Sequence, residues 1–203
     1  MTWRVFSSAY DWRVPDLLQN MTRPEDDMTL ELPVLLTLDQ GTTSSRTLAF
    51  DARGRMLASS QKSIAQSYPL PGWVEEDPEE IFVSQLDTLL EVMDQLETRY
   101  AIGPAQIAGV GITNQRETVV VWDRQTGRPV YPAIVWQCRR TAEICTRLRE
   151  AGHDDLVRQK TGLVLDAYFS ATKWMWLVEQ DPALKQRAER GEVLAGTIDT
   201  WLI

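Results

Sequence analysis

The 203-residue chain is 43% hydrophobic and 25% charged, which suffices for a buried core beneath an ordinary water-facing surface. Its net charge of −8 argues against a nucleic-acid-binding face, and no apolar run reaches the roughly 20 residues of a membrane span. The two cysteines, Cys138 and Cys145, form no Cys-x-x-Cys pair and His153 is the only histidine, so zinc-ligand spacing is absent and reduced thiols in a cytoplasmic setting are expected.

Residues 1–32 carry charge, Pro and Met without a hydrophobic period, and lack the parts of a signal peptide. They read as a disordered leader or a start-site artefact, with Met1, Met21 and Met28 as alternative starts. The apolar run Val34–Leu38 reads as a buried strand that stops at Asp39. A polar cluster follows at 41–45, then strands over 46–51 and 56–63 joined by a turn at Asp51–Gly54. Pro69–Trp73 is a loop. Asp77, Pro78 and Glu80 form a capping-box start to a helix whose apolar stripe is Phe82, Leu86, Leu89, Met93, Leu96 and Tyr100, closed by Gly103-Pro104.

Further strands are expected over 107–113 and 118–122, with a turn at 123–127 and an extended segment at 131–136. A helix over 141–150 stops at Gly152; Ser170 caps another over 171–180; a third spans 182–190 before Gly191. Residues 193–203 read as a strand running into a helix or loop. The pattern is mixed α/β: hairpin strands first, then strand–helix alternation. The chain stops inside an apolar run, Thr200–Ile203, and is expected to be truncated relative to its fold.

Two polar segments follow buried strands and carry the chemistry. Asp39-Gln-Gly-Thr-Thr-Ser-Ser-Arg46 suits a phosphate tail. Gly41 allows close backbone approach, Thr42, Thr43 and Ser44 add short donors, Arg46 neutralises charge, and Asp39 suits Mg²⁺ through water. A plain Ser/Thr-rich hairpin loop is the other reading. It is not a Walker A loop, because no Gly-Lys-Ser/Thr follows. The second segment, Gly109–Thr118, ends in Asn114-Gln-Arg-Glu117, a guanidinium beside a carboxylate, which suits the hydroxyls of a small polyol. Adjacent strand residues point to opposite faces, so both reach one ligand only where the ladder ends or bulges. A solvated ion pair is the alternative; for Trp136 and Tyr168 the residue pattern alone gives core packing and loop packing.

These segments, with Pro71–Glu75, Ala133–Thr141, Thr161–Ser170 and Gly196–Ile203, resemble in order the glycerol kinases of the FGGY carbohydrate kinase family, within the actin-like ATPase superfamily. The resemblance runs from about Val34 to Ile203, and Asn-Gln-Arg-Glu-Thr is the part specific to glycerol use. It implies an actin-like ATPase (ribonuclease H-like) domain, a mixed sheet flanked by helices, over residues 33–203. The C-terminal ATP-binding domain is then absent.

The resemblance further implies phosphorylation of glycerol to sn-glycerol 3-phosphate with ATP and Mg²⁺ in the cytoplasm. Glycerol falls to Arg116, Glu117, Trp136 and Tyr168, phosphate contacts to Thr42, Thr43, Ser44 and Arg46, and the metal to Asp39. The general-base Asp is expected beyond Ile203, and Asp199 is not assigned that role. Ala167 stands where the family has Pro before the Tyr. Dimers or tetramers are implied for the full-length form. This chain alone is expected to be inactive. Two alternatives are a non-catalytic remnant and a kinase for another polyol or sugar.

Overall fold

Alternation of side chains along the first strand orients the whole sheet. In the computed structural model, which describes residues 30–203, β1 (Val34–Gln40) buries Val34, Leu36, Leu38 and Gln40 on one face and turns Leu35, Thr37 and Asp39 to the other. Most of the expected leader, residues 1–29, lies outside the described residues. A tight loop leads to β2 (Ser44–Phe50), antiparallel to β1 with Asp39 opposite Arg46. The next turn is built on Asp51, whose carboxylate accepts from the amides of Arg53 and Arg55, and Gly54 there takes φ 77°. It delivers β3 (Met56–Ser63), antiparallel to β2.

After the two-residue strands β4 (Gln66–Ser67) and β5 (Glu75–Glu76), helix α1 (Pro78–Tyr100) starts as expected. Asp77 caps it, accepting from the amide of Glu79 at 2.9 Å, with Pro78 in the first turn. Glu80 instead accepts from the amide of Ala65. The helix ends on Ala101 in the left-handed region, φ 54°, ahead of the expected Gly103.

The buried stripe of α1 differs from the expected one. It comprises Ile81, Ser84, Gln85, Thr88, Val92 and Leu96; Leu96 belongs to the expected series, Ile81, Gln85, Thr88 and Val92 each stand one position before a member of it, and Phe82, Leu86 and Tyr100 are exposed. The reason is that the helix meets β2 through hydroxyls. Ser45 and Ser84 pair at 2.8 Å, Thr47 and Thr88 at 2.9 Å, and the Gln85 amide donates to the Arg46 carbonyl. Apart from the Gln85 side-chain oxygen, the buried polar groups of this seam pair with one another, so hydrophobicity alone misplaces it.

Strand β6 (Ile107–Asn114), preceded by a 3-10 turn, then lies parallel to β1 and completes a four-stranded sheet in the order β3-β2-β1-β6. Helix α1 packs on β2 and β3. It leaves Val110 on β6 exposed, and Leu35 is exposed on the opposite face.

The rest of the chain builds a second body of core. Strand β7 (Val120–Asp123) pairs with β9 (Val193–Gly196), and β8 (Ala133–Ile134) pairs with β5. Both faces of the β7 segment are buried. Val119 and Val121 join Val74, Ile134, Val135, Cys138, Leu177 and Leu184, while Val120 joins Ile64, Ile81 and Ile198. Around these lie α2 (Ala142–Glu150), α3 (Asp154–Thr161), α4 (Ser170–Gln180), α5 (Pro182–Glu189) and α6 (Ile198–Leu202). Helix α3 escapes sequence reading because it buries none of its residues and so carries no apolar period. Ser170 does not cap α4; Phe169 holds that position, and the Ser170 hydroxyl is used elsewhere.

One buried arginine braces this second body. The Arg140 guanidinium, with no side-chain exposure, pairs with Glu75 at 2.8 Å and lies 3.8 Å from the ring centre of Trp73 and 4.9 Å from that of Trp176. Next to Glu75, the carboxylate of Glu76 accepts from Gln66 at 3.0 Å and Gln115 at 2.6 Å. Burial pushes the Glu76 carboxyl up to about 7, against the pull of those two amides.

Two outcomes are expected. Ile81→Ala should cost about 2–4 kcal/mol in urea unfolding and Phe82→Ala no more than about 1 kcal/mol, because only the former empties a buried site; equal losses would place the seam on the apolar series. For Glu76, the folded state holds its proton above the unfolded value, so stability should fall as pH rises from about 4.5 to about 7, by on the order of 3 kcal/mol. Glu76→Gln, which mimics the protonated acid, should remove that slope when unfolding free energy is measured across this range.

Candidate functional site

Parallel strands β1 and β6 end together, at Gln40 and Asn114, and the candidate site lies beyond their carboxyl ends. The amide of Gln115 donates to the Gln40 carbonyl at 2.7 Å and closes the ladder. Glu117 then enters the left-handed region, with φ 67°. For a residue with a full side chain that conformation costs energy, and here tertiary contacts impose it. Glu117 Oε2 accepts from the amide of Ser170 at 2.9 Å and from its hydroxyl at 2.7 Å, at the first turn of α4. The ladder thus ends before Arg116, and the alternation that would separate Arg116 from Glu117 is broken.

A cavity of about 260 Å³ opens at this point, lined by Thr42, Asn114, Gln115, Arg116, Trp136 and Tyr168. It brings together four of the sequence-predicted residues: Thr42, Arg116, Trp136 and Tyr168. Glu117 is not among the lining residues, and one of its carboxylate oxygens is committed to Ser170. The rings of Trp136 and Tyr168 meet edge to face, 5.7 Å apart. The Trp136 indole donates to the Thr42 hydroxyl at 3.0 Å, which joins the cavity to the loop after β1. Asn114 and Gln115 also line the cavity; they belong to the polar run beside Arg116, so their signal was in the sequence, without a role attached.

The loop itself is tight. The Gly41 amide donates to the Ser44 carbonyl at 2.9 Å, and a Cβ at Gly41 would stand 3.3 Å from that oxygen. Thr43 is exposed, and the Ser44 hydroxyl accepts from Gln61. Asp39 and Arg46 face each other across β1 and β2, with Arg46 Nε 3.9 Å from the carboxylate. Among the described residues, Arg46 Nε and Gln40 Oε1 are buried without a hydrogen-bond partner. Neither Asp39, Thr43, Ser44 nor Arg46 lines the 260 Å³ cavity; they form a second group at the neighbouring loop.

Among the lining residues, Gln115 is held at both ends of its side chain. Its side-chain amide donates to Glu76, and its side-chain oxygen accepts from Thr118 at 2.9 Å. The Thr118 hydroxyl in turn accepts from the backbone amide of Trp136 at 3.2 Å. Beside it, the segment 166–169 carries Tyr168. Asp166 anchors this segment: it forms a two-pronged bridge to Arg139, and its Oδ1 accepts from the Tyr168 amide at 2.8 Å. Those contacts, the Arg139 donors first, hold the Asp166 carboxyl below its usual range. Ala167 is fully buried and its carbonyl accepts from Lys173 at 2.9 Å.

Asp199 lies near the same end of the sheet. Its carboxyl is held below its usual range, chiefly by the Thr197 hydroxyl and also by Asn114. An ionised carboxylate so engaged is a structural acceptor and is poorly matched to a general base near neutrality. Among the described residues no cluster of three or more acidic, histidine or cysteine side chains could hold a metal by itself, and no helix is long and apolar enough to cross a membrane.

Residues 34–203 match the FGGY family of carbohydrate kinases, N-terminal domain. The chain is similar to a glycerol kinase of Pseudomonas entomophila (strain L48), 54% identical over 174 residues that cover 86% of this chain and 34% of that protein. It is also similar to a glycerol kinase of Carboxydothermus hydrogenoformans, 56% identical over 169 residues, covering 83% of this chain and 33% of that protein. The crystal structure of Plasmodium falciparum glycerol kinase with ADP superposes with a TM-score of 0.80 at 37% identity, covering 85% of this chain and 34% of that one. A gluconate kinase from Lactobacillus acidophilus, at 21% identity and a TM-score of 0.71 over 85% of this chain and 33% of that one, shares the fold. The chain thus spans about a third of the length of the curated relatives it matches. The mixed sheet flanked by helices is the actin-like ATPase fold of these sugar kinases, and the chain belongs to the FGGY family of carbohydrate kinases, whose N-terminal domain it carries.

Proposed function

We propose that this chain supplies the polyol-binding and phosphate-facing part of an ATP-dependent kinase that converts glycerol to sn-glycerol 3-phosphate in the cytoplasm. The observation that carries this reading is the single small cavity in which Thr42, Arg116, Trp136 and Tyr168 converge beside the Gly41 loop. Similarity to glycerol kinases over more than four-fifths of the chain supports the choice of polyol. The two free, buried thiols of Cys138 and Cys145 suit a reducing compartment.

In this reading the Arg116 fork donates to two glycerol hydroxyls and Glu117 accepts from one with the carboxylate oxygen that Ser170 leaves free. Trp136 covers the carbon chain, and the Tyr168 hydroxyl orients a terminal carbon. The edge-to-face packing of the two rings fixes both before the ligand arrives, which lowers the ordering cost of binding.

The loop residues fit a metal–nucleotide pair. Asp39 is a half-exposed carboxylate, and Mg²⁺ is commonly held by one or two carboxylates with water and phosphates. Arg46 Nε, 3.9 Å from that carboxylate, has no hydrogen-bond partner and is a donor left over at this loop. Thr42, Thr43 and Ser44 with the loop amides provide further donors. Bound Mg²⁺ would neutralise charge across the phosphates. The base that takes the glycerol proton and the surface that holds adenosine belong, in this proposal, to sequence beyond Ile203. Positioning and electrostatics dominate phosphoryl transfer, so this chain alone binds glycerol and does not turn it over. Dimer or tetramer assembly is proposed only for the full-length protein.

The test has two arms. Glycerol titrated into the chain should shift the Trp136 indole resonance saturably, and Arg116→Ala should weaken that binding by about ten- to a hundredfold, the loss of charge-assisted hydrogen bonds. Glycerol-dependent ADP release should be absent from this chain and present in the protein at its relatives' full length. Tighter binding of xylulose or gluconate than of glycerol would overturn the substrate.

A further inference from the structure

The largest residue buried whole, backbone and side chain, among the described residues is a lysine. Lys173, in the first turns of α4, has no exposed surface, and no carboxylate touches its ammonium. Its Nζ donates to three successive carbonyls: Ala167 at 2.9 Å, Tyr168 at a short distance, and Phe169 at 3.2 Å. An ammonium has three N–H donors and a neutral amine two, so the full set of bonds requires the charged form. The placement is costly on two counts. The site is desolvated, and it adjoins the positive end of a helix. Burial pulls the ammonium's pKa down to about 8.

The charged and titratable groups that face it are Glu117 from the turn after β6, Asp166 from the segment before α4, and the Cys138 and Cys145 thiols from the α2 side. Asp166 is committed to Arg139, and burial pushes the Cys145 thiol up, so Glu117 is the main source of favourable charge. An apolar side chain would fill this space without either penalty, yet it could not tie three consecutive carbonyls to a helix.

Those carbonyls belong to the residues that bracket Tyr168, and the next amide, Ser170, holds the Glu117 carboxylate. We propose that Lys173 is a positioning residue for the polyol cavity: its ammonium clamps 167–169 so that Tyr168 stays against Trp136 and the first turn of α4 stays in reach of Glu117. It does so fully only while it carries all three protons. The inference rests on the polyol reading for its ligand but not for its geometry.

Two measurements separate the cases, both on the chain as it stands. In the ligand-free protein the Trp136 indole resonance, followed from pH 6.5 to 9.5, should titrate with a midpoint near 8, because loss of the third proton releases one carbonyl of the Tyr168 segment. Over the same range glycerol affinity should fall by about tenfold, the weight of one charge-assisted hydrogen bond. In Lys173→Met the step near 8 should vanish from both, any step that remains near 7 being that of Glu76 acting through Gln115, with affinity already about tenfold or more below the unmodified chain at pH 7. An indole resonance with no step near 8 overturns the proposal even if Lys173→Met fails to fold. A folded Lys173→Met with undiminished glycerol affinity also overturns it. An indole that titrates near 8 with no glycerol binding at any pH upholds the clamp and overturns the polyol assignment.

Discussion

The organisation of this molecule depends on Gln115, the first residue after β6. Its amide ends the β1–β6 ladder on the Gln40 carbonyl, its side-chain nitrogen reaches Glu76, and its side-chain oxygen takes the Thr118 hydroxyl, which holds the Trp136 amide. One buried residue, through its backbone amide and its side chain, therefore joins the hairpin sheet to the second body of core and lines the cavity. Each of these polar groups would cost free energy if buried alone, and together they satisfy one another. Such a network tolerates few alternative arrangements, which is what a site needs from the structure beneath it.

A second constraint acts from the side. Glu117 adopts a left-handed backbone that its side chain secures by accepting from Ser170, and Lys173 ties the segment before Ser170 to the same helix. The strained turn and the aromatic segment are thus referred to one rigid element, α4. Strain of this kind persists where the surroundings over-determine it. It lets two neighbouring residues, Arg116 and Glu117, escape the alternation of a strand.

Much of the fold was legible in advance. The three-strand hairpin unit, the Asp77–Pro78 start of α1, the strand at Ile107, and the run from strand to helix after Val193 each carry a local signal: alternation, a cap, or an apolar run bounded by turns. What stayed hidden shares a physical cause. Helix α3 buries nothing, so it has no apolar period. The buried seam of α1 uses Ser84, Gln85 and Thr88 against Ser45 and Thr47, so hydrophobicity points one position away. Ser170 has the chemistry of a cap and spends it on Glu117, fifty-three positions earlier.

The same division holds at the site. By itself the sequence determined which chemistries are available: a Gly-containing loop with short donors, a guanidinium beside a carboxylate, and a mixed α/β frame to carry them. These are properties of residue type and near-neighbour spacing, and they survive being read one segment at a time. Only the tertiary structure decided that Thr42, Arg116, Trp136 and Tyr168 share one cavity while Asp39 and Arg46 stand apart from it. It also decided that the Glu117 carboxylate is engaged by the first turn of α4, and that Glu76 and Lys173, unremarkable in sequence, are buried where their protons matter. The reason is that proximity between residues more than 90 positions apart, such as Thr42 and Trp136, and the desolvation that shifts a proton equilibrium belong to packing, which no local pattern encodes.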